Sequence, residues 1–157
     1  VAVDVDASAL ERAKRLGADV VVDAKSEDVA KTVRAKVSRS GLDLALEFVG
    51  RPDTVESAMK CLGKGGRLVI CGVGPAKPSL PMLASFVGKE QSVIGSFGMA
   101  HSEIRALFEL IVAGRLDLSE SISARYPLTE ANAALSRLAS KEGGVVRVVV
   151  EPRSTLS

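Results

Sequence analysis

The sequence predicts an α/β protein, a parallel sheet whose strands are joined by crossover helices. Two observations carry this. From Val1 to about Phe97, short apolar runs alternate with amphipathic segments about every 10 to 15 residues. Turn and cap residues also punctuate the joins, with glycine or proline at most of them.

The elements follow in order. Residues 1–5, "VAVDV", read as a strand. "ASALERAKRLGA" reads as a helix with Leu10, Ala13 and Leu16 along one face and Gly17 as its stop. "DVVVDA" is a short strand. "SEDVAKTVRAKVS" is an amphipathic helix with Ser26 as N-cap and acids in its first turn. "LDLALEFVG" is a strand, and "PDTVESAMKCLG" a helix with Pro52 suited to its first turn. "GGRLVICGVG" is a strand flanked by glycines, "SLPMLASFVGK" a shorter helical piece, and "QSVIGSF" a strand. The pattern then changes. "SEIRALFELIVAGRLD" is an amphipathic helix ending at Gly114. A strand-like run at "SARYP" precedes a second helix capped by Thr129, and "VVRVVVEP" closes the chain as a strand. The tail "RSTLS" reads as disordered, and there is no internal repeat or low-complexity segment.

Composition narrows the function classes. A chain of 157 residues can bury one sizeable core. Its 46% hydrophobic and 25% charged residues are ordinary for a globular protein. The net charge of +2 comes from interspersed acids and bases, which gives no reason to expect nucleic acid or a membrane surface as partner. With 3% aromatic residues and no Trp, a base-stacking surface is not expected. No apolar stretch approaches the roughly 18 residues that a membrane span needs. Cys61 and Cys71 lie in apolar segments without metal-ligand spacing, so both read as buried structural thiols and the cytoplasm is the default compartment.

Asp4 ends the first strand. In doubly wound sheets ligands bind in the crevice outside the carboxyl ends of the strands. An acid there can accept hydrogen bonds from the adenosine ribose hydroxyls and repel the 2′-phosphate of NADP. Strand-terminal aspartates also serve as helix caps, a description that Asp6 shares.

The run "LEFVGRPDTVESAMKCLGKGGRLVICGVGP", followed by "VIGSFG" and then "ARYPLTEANAALSRLASKEGGVVRVVV", resembles the zinc-dependent alcohol dehydrogenases of the medium-chain dehydrogenase/reductase superfamily. The opening "VAVDVDASALERAKRLGADVVVDA" resembles that family's second strand, following helix and third strand. The resemblance covers nearly the whole chain and rests on the order and spacing of these segments. It implies a Rossmann-like doubly wound parallel sheet at 1–96, incomplete because its first strand is absent, and the C-terminal part of the catalytic domain at 97–157.

The resemblance also implies roles. Asp4 is the ribose-binding acid. Phe48 and Val49 stand where the fourth strand ends and the chain passes over the adenosine and nicotinamide ribose. Arg51 reaches cofactor oxygens. Cys71, Gly72 and Val73 end the fifth strand beside the nicotinamide, where the missing side chain of Gly72 lets backbone approach a ligand. Ser96 and Phe97 end the sixth, whose backbone binds the carboxamide. Arg147 reaches the pyrophosphate from the other domain, a task that suits a permanently charged, bidentate guanidinium. Each position also has a plainer reading: buried strand residue, strand-end turn, solvated loop or edge-strand side chain. The family often places a basic residue where this chain has Ala9, and Arg12 lies nearly one turn on.

The implied cofactor is NAD rather than NADP, with a zinc ion whose ligands lie upstream and outside this chain. No catalytic residue is expected here. His101, the single histidine, reads as a loop or cap residue beside a helix starting at Ser102. Glu130 stands where a Tyr-x-x-x-Lys pair starting at Tyr126 would need lysine, which argues against the short-chain dehydrogenases. "GKGGRLVICGVG" surrounds a strand and is not a dinucleotide fingerprint. The family's glycine-rich turn and first strand would precede Val1, so the expected protein is about twice as long. In the order 3-2-1-4-5-6 the absent strand is central, leaving two half-sheets. The whole would interconvert alcohols with aldehydes or ketones. Its edge strand "QSVIGSF" would pair across a two-fold axis in a homodimer or homotetramer. The alternatives are a zinc-free quinone or enoyl reductase using NADPH, and a non-catalytic nucleotide-binding module.

Overall fold

The computed structural model describes residues 1–75, 77–140 and 142–152. The tail "RSTLS" at 153–157 lies outside the described residues. The chain forms two compact units, Val1–Gly98 and Met99–Ser157.

In the first unit, strands and helices alternate: β1 (Ala2–Asp4), α1 (Ala7–Arg15), β2 (Val21–Asp23), α2 (Val29–Lys36), β3 (Leu42–Glu47), α3 (Pro52–Cys61), β4 (Leu62–Ile70), α4 (Leu83–Gly88) and β5 (Ser92–Gly95). The pairing is parallel throughout the unit. β1 pairs β2 with Asp4 opposite Asp23, and a second sheet runs β3-β4-β5. This is the expected α/β architecture, divided into two half-sheets. The edge strands β1 and β3 leave Val3, Leu44 and Leu46 about half exposed, although parallel strands normally bury both faces.

Helices α2 and α3 tie the half-sheets together. Ala30 and Val33 of α2 pack with Cys61, and the Arg34 guanidinium donates to the Lys60 carbonyl at 2.6 Å. The main core lies between α3 and the second sheet, where Val55, Met59, Leu62 and Leu68 are buried and Leu42, Ala45, Ile70 and Phe86 pack around them.

The local signals are mostly where the sequence put them. Asp6 caps α1 by accepting from Ser8 N at 2.8 Å, and Pro52 opens α3. Gly17 follows α1 at φ +100°, a conformation that favours glycine. Three expectations in this unit need correction. Asp28, not Ser26, caps α2, accepting from Lys31 N at 2.9 Å; the Ser26 hydroxyl instead bonds Asp23 Oδ2 in the turn after β2. Helix α4 begins only at Leu83, so 79–82 are not helical. Strand β3 ends at Glu47, so Phe48 and Val49 lie beyond the ladder.

The second unit holds α5 (His101–Val112), β6 (Ala124–Pro127), α6 (Ala131–Ser140) and β7 (Val148–Glu151). β6 and β7 pair in parallel, and Arg125 and Glu151 form an ion pair at 2.6 Å across them. His101 is the first residue of α5 rather than its flank, and Glu103 caps that end by accepting from Ala100 N at 2.6 Å. Thr129 is not an N-cap. It sits within a 3-10 turn, Leu128–Glu130, that winds directly into α6. Among the described residues, no helix is long and apolar enough to cross a membrane.

Candidate functional site

Parallel strands all end on one side of their sheet, so the segments after β3, β4 and β5 converge. These segments carry Phe48, Val49 and Arg51, then Cys71, Gly72 and Val73, then Ser96 and Phe97.

Their join is backbone against backbone. Gly50 has φ +77°, and a Cβ placed on it would lie 2.6 Å from Val73 N and C. A Cβ on Gly72 would meet Gly50 N and lie 2.6 Å from Val49 N and C, while one on Gly74 would overlap the Gly50 carbonyl. All three positions therefore exclude a side chain, and the loops after β3 and β4 interlock. The sequence is compatible with ligand approach or a simple turn at Gly72; the structure adds a third use, approach of the neighbouring loop.

Glu47 fastens this join, and the sequence reading passed it over. It is 4% exposed at the end of β3. Its Oε1 accepts from Val49 N and Gly50 N, both at 2.9 Å, and from Thr54 Oγ1 at 2.7 Å. Its Oε2 lies 3.0 Å from Gly50 N. Its carbonyl accepts from Cys71 N at 2.7 Å and Gly72 N at 3.0 Å. A buried carboxylate is tolerated when hydrogen-bond donors surround it, and this one is so surrounded. The signal available in sequence was an acid inside an apolar strand, followed three residues later by glycine and seven later by threonine.

The rim of the join is apolar and open. Phe48 is 68% exposed, Val73 79% and Phe97 92%. Ser96 is exposed, and its backbone N–H donates to the Ile70 carbonyl at 2.9 Å, which ties β5's end to β4. Cys71 is half-buried rather than buried, a correction to the sequence reading; Cys61 is buried, and burial pushes its thiol pKa up.

Arg51 precedes α3 and forms a two-pronged pair with Asp53, Nε to Oδ1 at 3.0 Å and Nη2 to Oδ2 at 3.1 Å. The guanidinium bond holds the Asp53 carboxyl below the usual carboxylate range. Both side chains are exposed, so the pair can open toward another anion at little cost.

Asp4 ends β1 in the other half-sheet and is exposed. It accepts from Val5 N at 2.7 Å and Asp6 N at 2.9 Å, both through Oδ1. Oδ2 takes neither bond. Asp4 thus orders the turn into α1, while Asp6 is the cap. Arg147 belongs to the second unit, where it is exposed just before β7 and its carbonyl accepts from Ser123 N at 2.8 Å.

A cavity of about 650 Å³ lies away from these strand ends, lined by Arg34, Lys60, Ser85 and Lys89 among others. Strand topology, not cavity size, places the candidate site. Among the described residues, no group of three His, Cys, Asp or Glu side chains could hold a metal ion.

Comparison with known proteins places the chain in a family. A sequence profile of zinc-binding dehydrogenases matches residues 1–113. An alcohol dehydrogenase of Cupriavidus necator is 29% identical over 154 residues, 97% of this chain and 42% of that protein. The solved structure of an alcohol dehydrogenase from Thermus sp. ATN1 superposes with a TM-score of 0.88 at 32% identity, covering 96% of this chain and 43% of the other. A protein described as a zinc-binding dehydrogenase from Sinorhizobium meliloti 1021, solved bound to NADP, gives 0.84 at 29% identity, covering 96% and 44%. The chain therefore spans less than half the length of these relatives. The parallel half-sheets match the Rossmann-like C-terminal part of such enzymes, and the chain belongs to the zinc-binding dehydrogenase family.

Proposed function

We propose that this chain supplies cofactor contacts to an NAD-dependent, zinc-dependent alcohol dehydrogenase that interconverts alcohols with aldehydes or ketones in the cytoplasm. The observation that carries this reading is the interlocked pair of loops at the carboxyl ends of β3 and β4. Such a rigid, side-chain-free join beside an open apolar rim suits a flat nicotinamide ring. In this reading Phe48, Val49, Gly72 and Val73 form the wall along the cofactor. Ser96 and Phe97 present backbone to its carboxamide, and Arg51 and Arg147 meet its phosphate and ribose oxygens. NAD, when bound, accepts or donates the hydride. Zinc does not fit the described residues of this chain, so no step is assigned to it here. Residues 1–96 would make most of the cofactor domain, and 97–157 would join the catalytic domain.

Asp4 decides the cofactor. Its carboxylate would accept from the adenosine ribose hydroxyls and repel a 2′-phosphate. The NADP bound to the Sinorhizobium relative, itself described as a zinc-binding dehydrogenase, favours NADP as the competing cofactor. Titration of the full-length protein with NADH and NADPH, with and without Asp4→Gly, separates them. The NAD reading expects NADH to bind tighter and Asp4→Gly to weaken NADH far more than NADPH. An unchanged preference overturns it.

Strand β5 is one of the two edges of its sheet, with Ser92–Gly95 exposed. A homodimer joined along that edge would cover its unpaired backbone groups. A monomeric mass by light scattering on the full-length protein would contradict that assembly.

A further inference from the structure

We infer that Glu47 is a positioning residue for the nicotinamide half of the cofactor, an inference that rests on the NAD-binding reading above. Glu47 touches, through different groups, the loop after β4 that flanks the nicotinamide in that reading and the loop after β3 that abuts it. Its carboxylate gathers Val49 N, Gly50 N and Thr54 Oγ1, and its carbonyl gathers Cys71 N and Gly72 N. Two of those amides belong to Cys71 and Gly72, and a third to Val49.

The side chain does more than fill space. The carboxylate accepts three bonds from the 48–50 turn, from Val49 N and twice from Gly50 N, and so stiffens it. That turn is where Gly50 adopts φ +77° and abuts Val73 and Gly72. Any movement of Gly50 is therefore passed directly to the β4 loop, since no side chain lies between them. A single residue thus ties both walls, its carboxylate holding one and its carbonyl the other. Hydride transfer is sensitive to displacements of about 1 Å in such supports. Asp4, by contrast, sits in the other half-sheet, where it accepts from Val5 N and Asp6 N. The adenosine end should feel a change at Glu47 much less.

The test uses the full-length protein carrying Glu47→Gln or, separately, Thr54→Val, which removes one hydroxyl from the same cluster. NADH and AMP are titrated into each folded variant, and the emission of bound NADH is recorded. The expected result for Glu47→Gln is an NADH dissociation constant raised about tenfold, with AMP changed less than about threefold, in line with the loss of one charge-assisted hydrogen bond. Bound-NADH emission should move toward that of free NADH. Thr54→Val should move NADH binding the same way by about threefold. If Glu47→Gln fails to fold, Thr54→Val decides on the same readouts. Equal weakening of NADH and AMP, or no change in either, overturns the inference, because the first is a general structural defect and the second means no positioning. Wild-type protein that binds neither ligand overturns the NAD reading itself, and does so before any substitution is made.

Discussion

Replacing Gly50 with alanine tests the interlocked loops. Gly50 holds φ +77°, and its added Cβ would lie 2.6 Å from Val73 N and C. Two costs follow. Holding an alanine in the left-handed region costs about 1–2 kcal/mol. Forcing a methyl into packed backbone costs a further ~1–3 kcal/mol, since neither loop can yield without breaking the Glu47 bonds. Gly17→Ala is the control, because Gly17 has φ +100° but nothing within 4 Å of the added Cβ. It should show the conformational cost alone. Urea unfolding of the two full-length variants should therefore differ by about 1–3 kcal/mol, a midpoint difference of roughly 0.3–1 M for a slope near 3 kcal/mol/M. Gly50→Ala should also weaken NADH. Equal loss of stability in the two variants would refute the claim that the loops interlock.

Three other outcomes are expected. Leu68→Ala, at a fully buried position of β4, should destabilise by about 2–5 kcal/mol in chemical denaturation. Peptide mapping after brief alkylation at pH 8 should find Cys71 modified roughly tenfold faster than Cys61, whose thiol burial keeps protonated. For pH, the Asp6 carboxyl is lowered first by the Ser8 backbone bond, then by the Ser8 hydroxyl, with Arg12 adding. A depressed folded pKa gives stability that is present above the unfolded value near 3.9 and lost as pH falls through the folded one. Thermal midpoints of wild type and Asp6→Asn should therefore converge as pH drops below about 4, and a constant difference from pH 6 to 3 would count against the cap.

Much of this architecture is legible in the sequence because its signals are local. The alternation of period-two and amphipathic segments gives the strand and helix order, and Asp6, Pro52 and Gly17 mark ends through their own backbone chemistry. The errors arise where neighbours compete or where tertiary contacts decide. Ser26 and Asp28 are both competent caps, and Ser26 is taken by the turn around Asp23. The chain winds a turn before α6, which leaves Thr129 inside it. Phe48 and Val49 continue an apolar run, yet β3 ends before them because Glu47 turns back to collect Val49 N and Gly50 N. For the same reason Glu47 is only weakly legible as a site residue, through its place in an apolar strand. An acid in an alternating strand reads as solvent-facing, and only the fold brings Thr54, Cys71 and Gly72 to it. The glycines Gly50 and Gly74 likewise read only as the last residues of strand segments until the two loops touch.

The central claim is that these strand ends bind NAD, with Asp4 at the ribose and the Gly50–Gly72 join at the nicotinamide. The most direct measurement is a crystal structure of the full-length protein with NADH. The account predicts both adenosine ribose hydroxyls within hydrogen-bond distance of the Asp4 carboxylate and the nicotinamide ring lying against the backbone of 71–73. Electron density for NADH elsewhere, or a ribose turned away from Asp4, would contradict it.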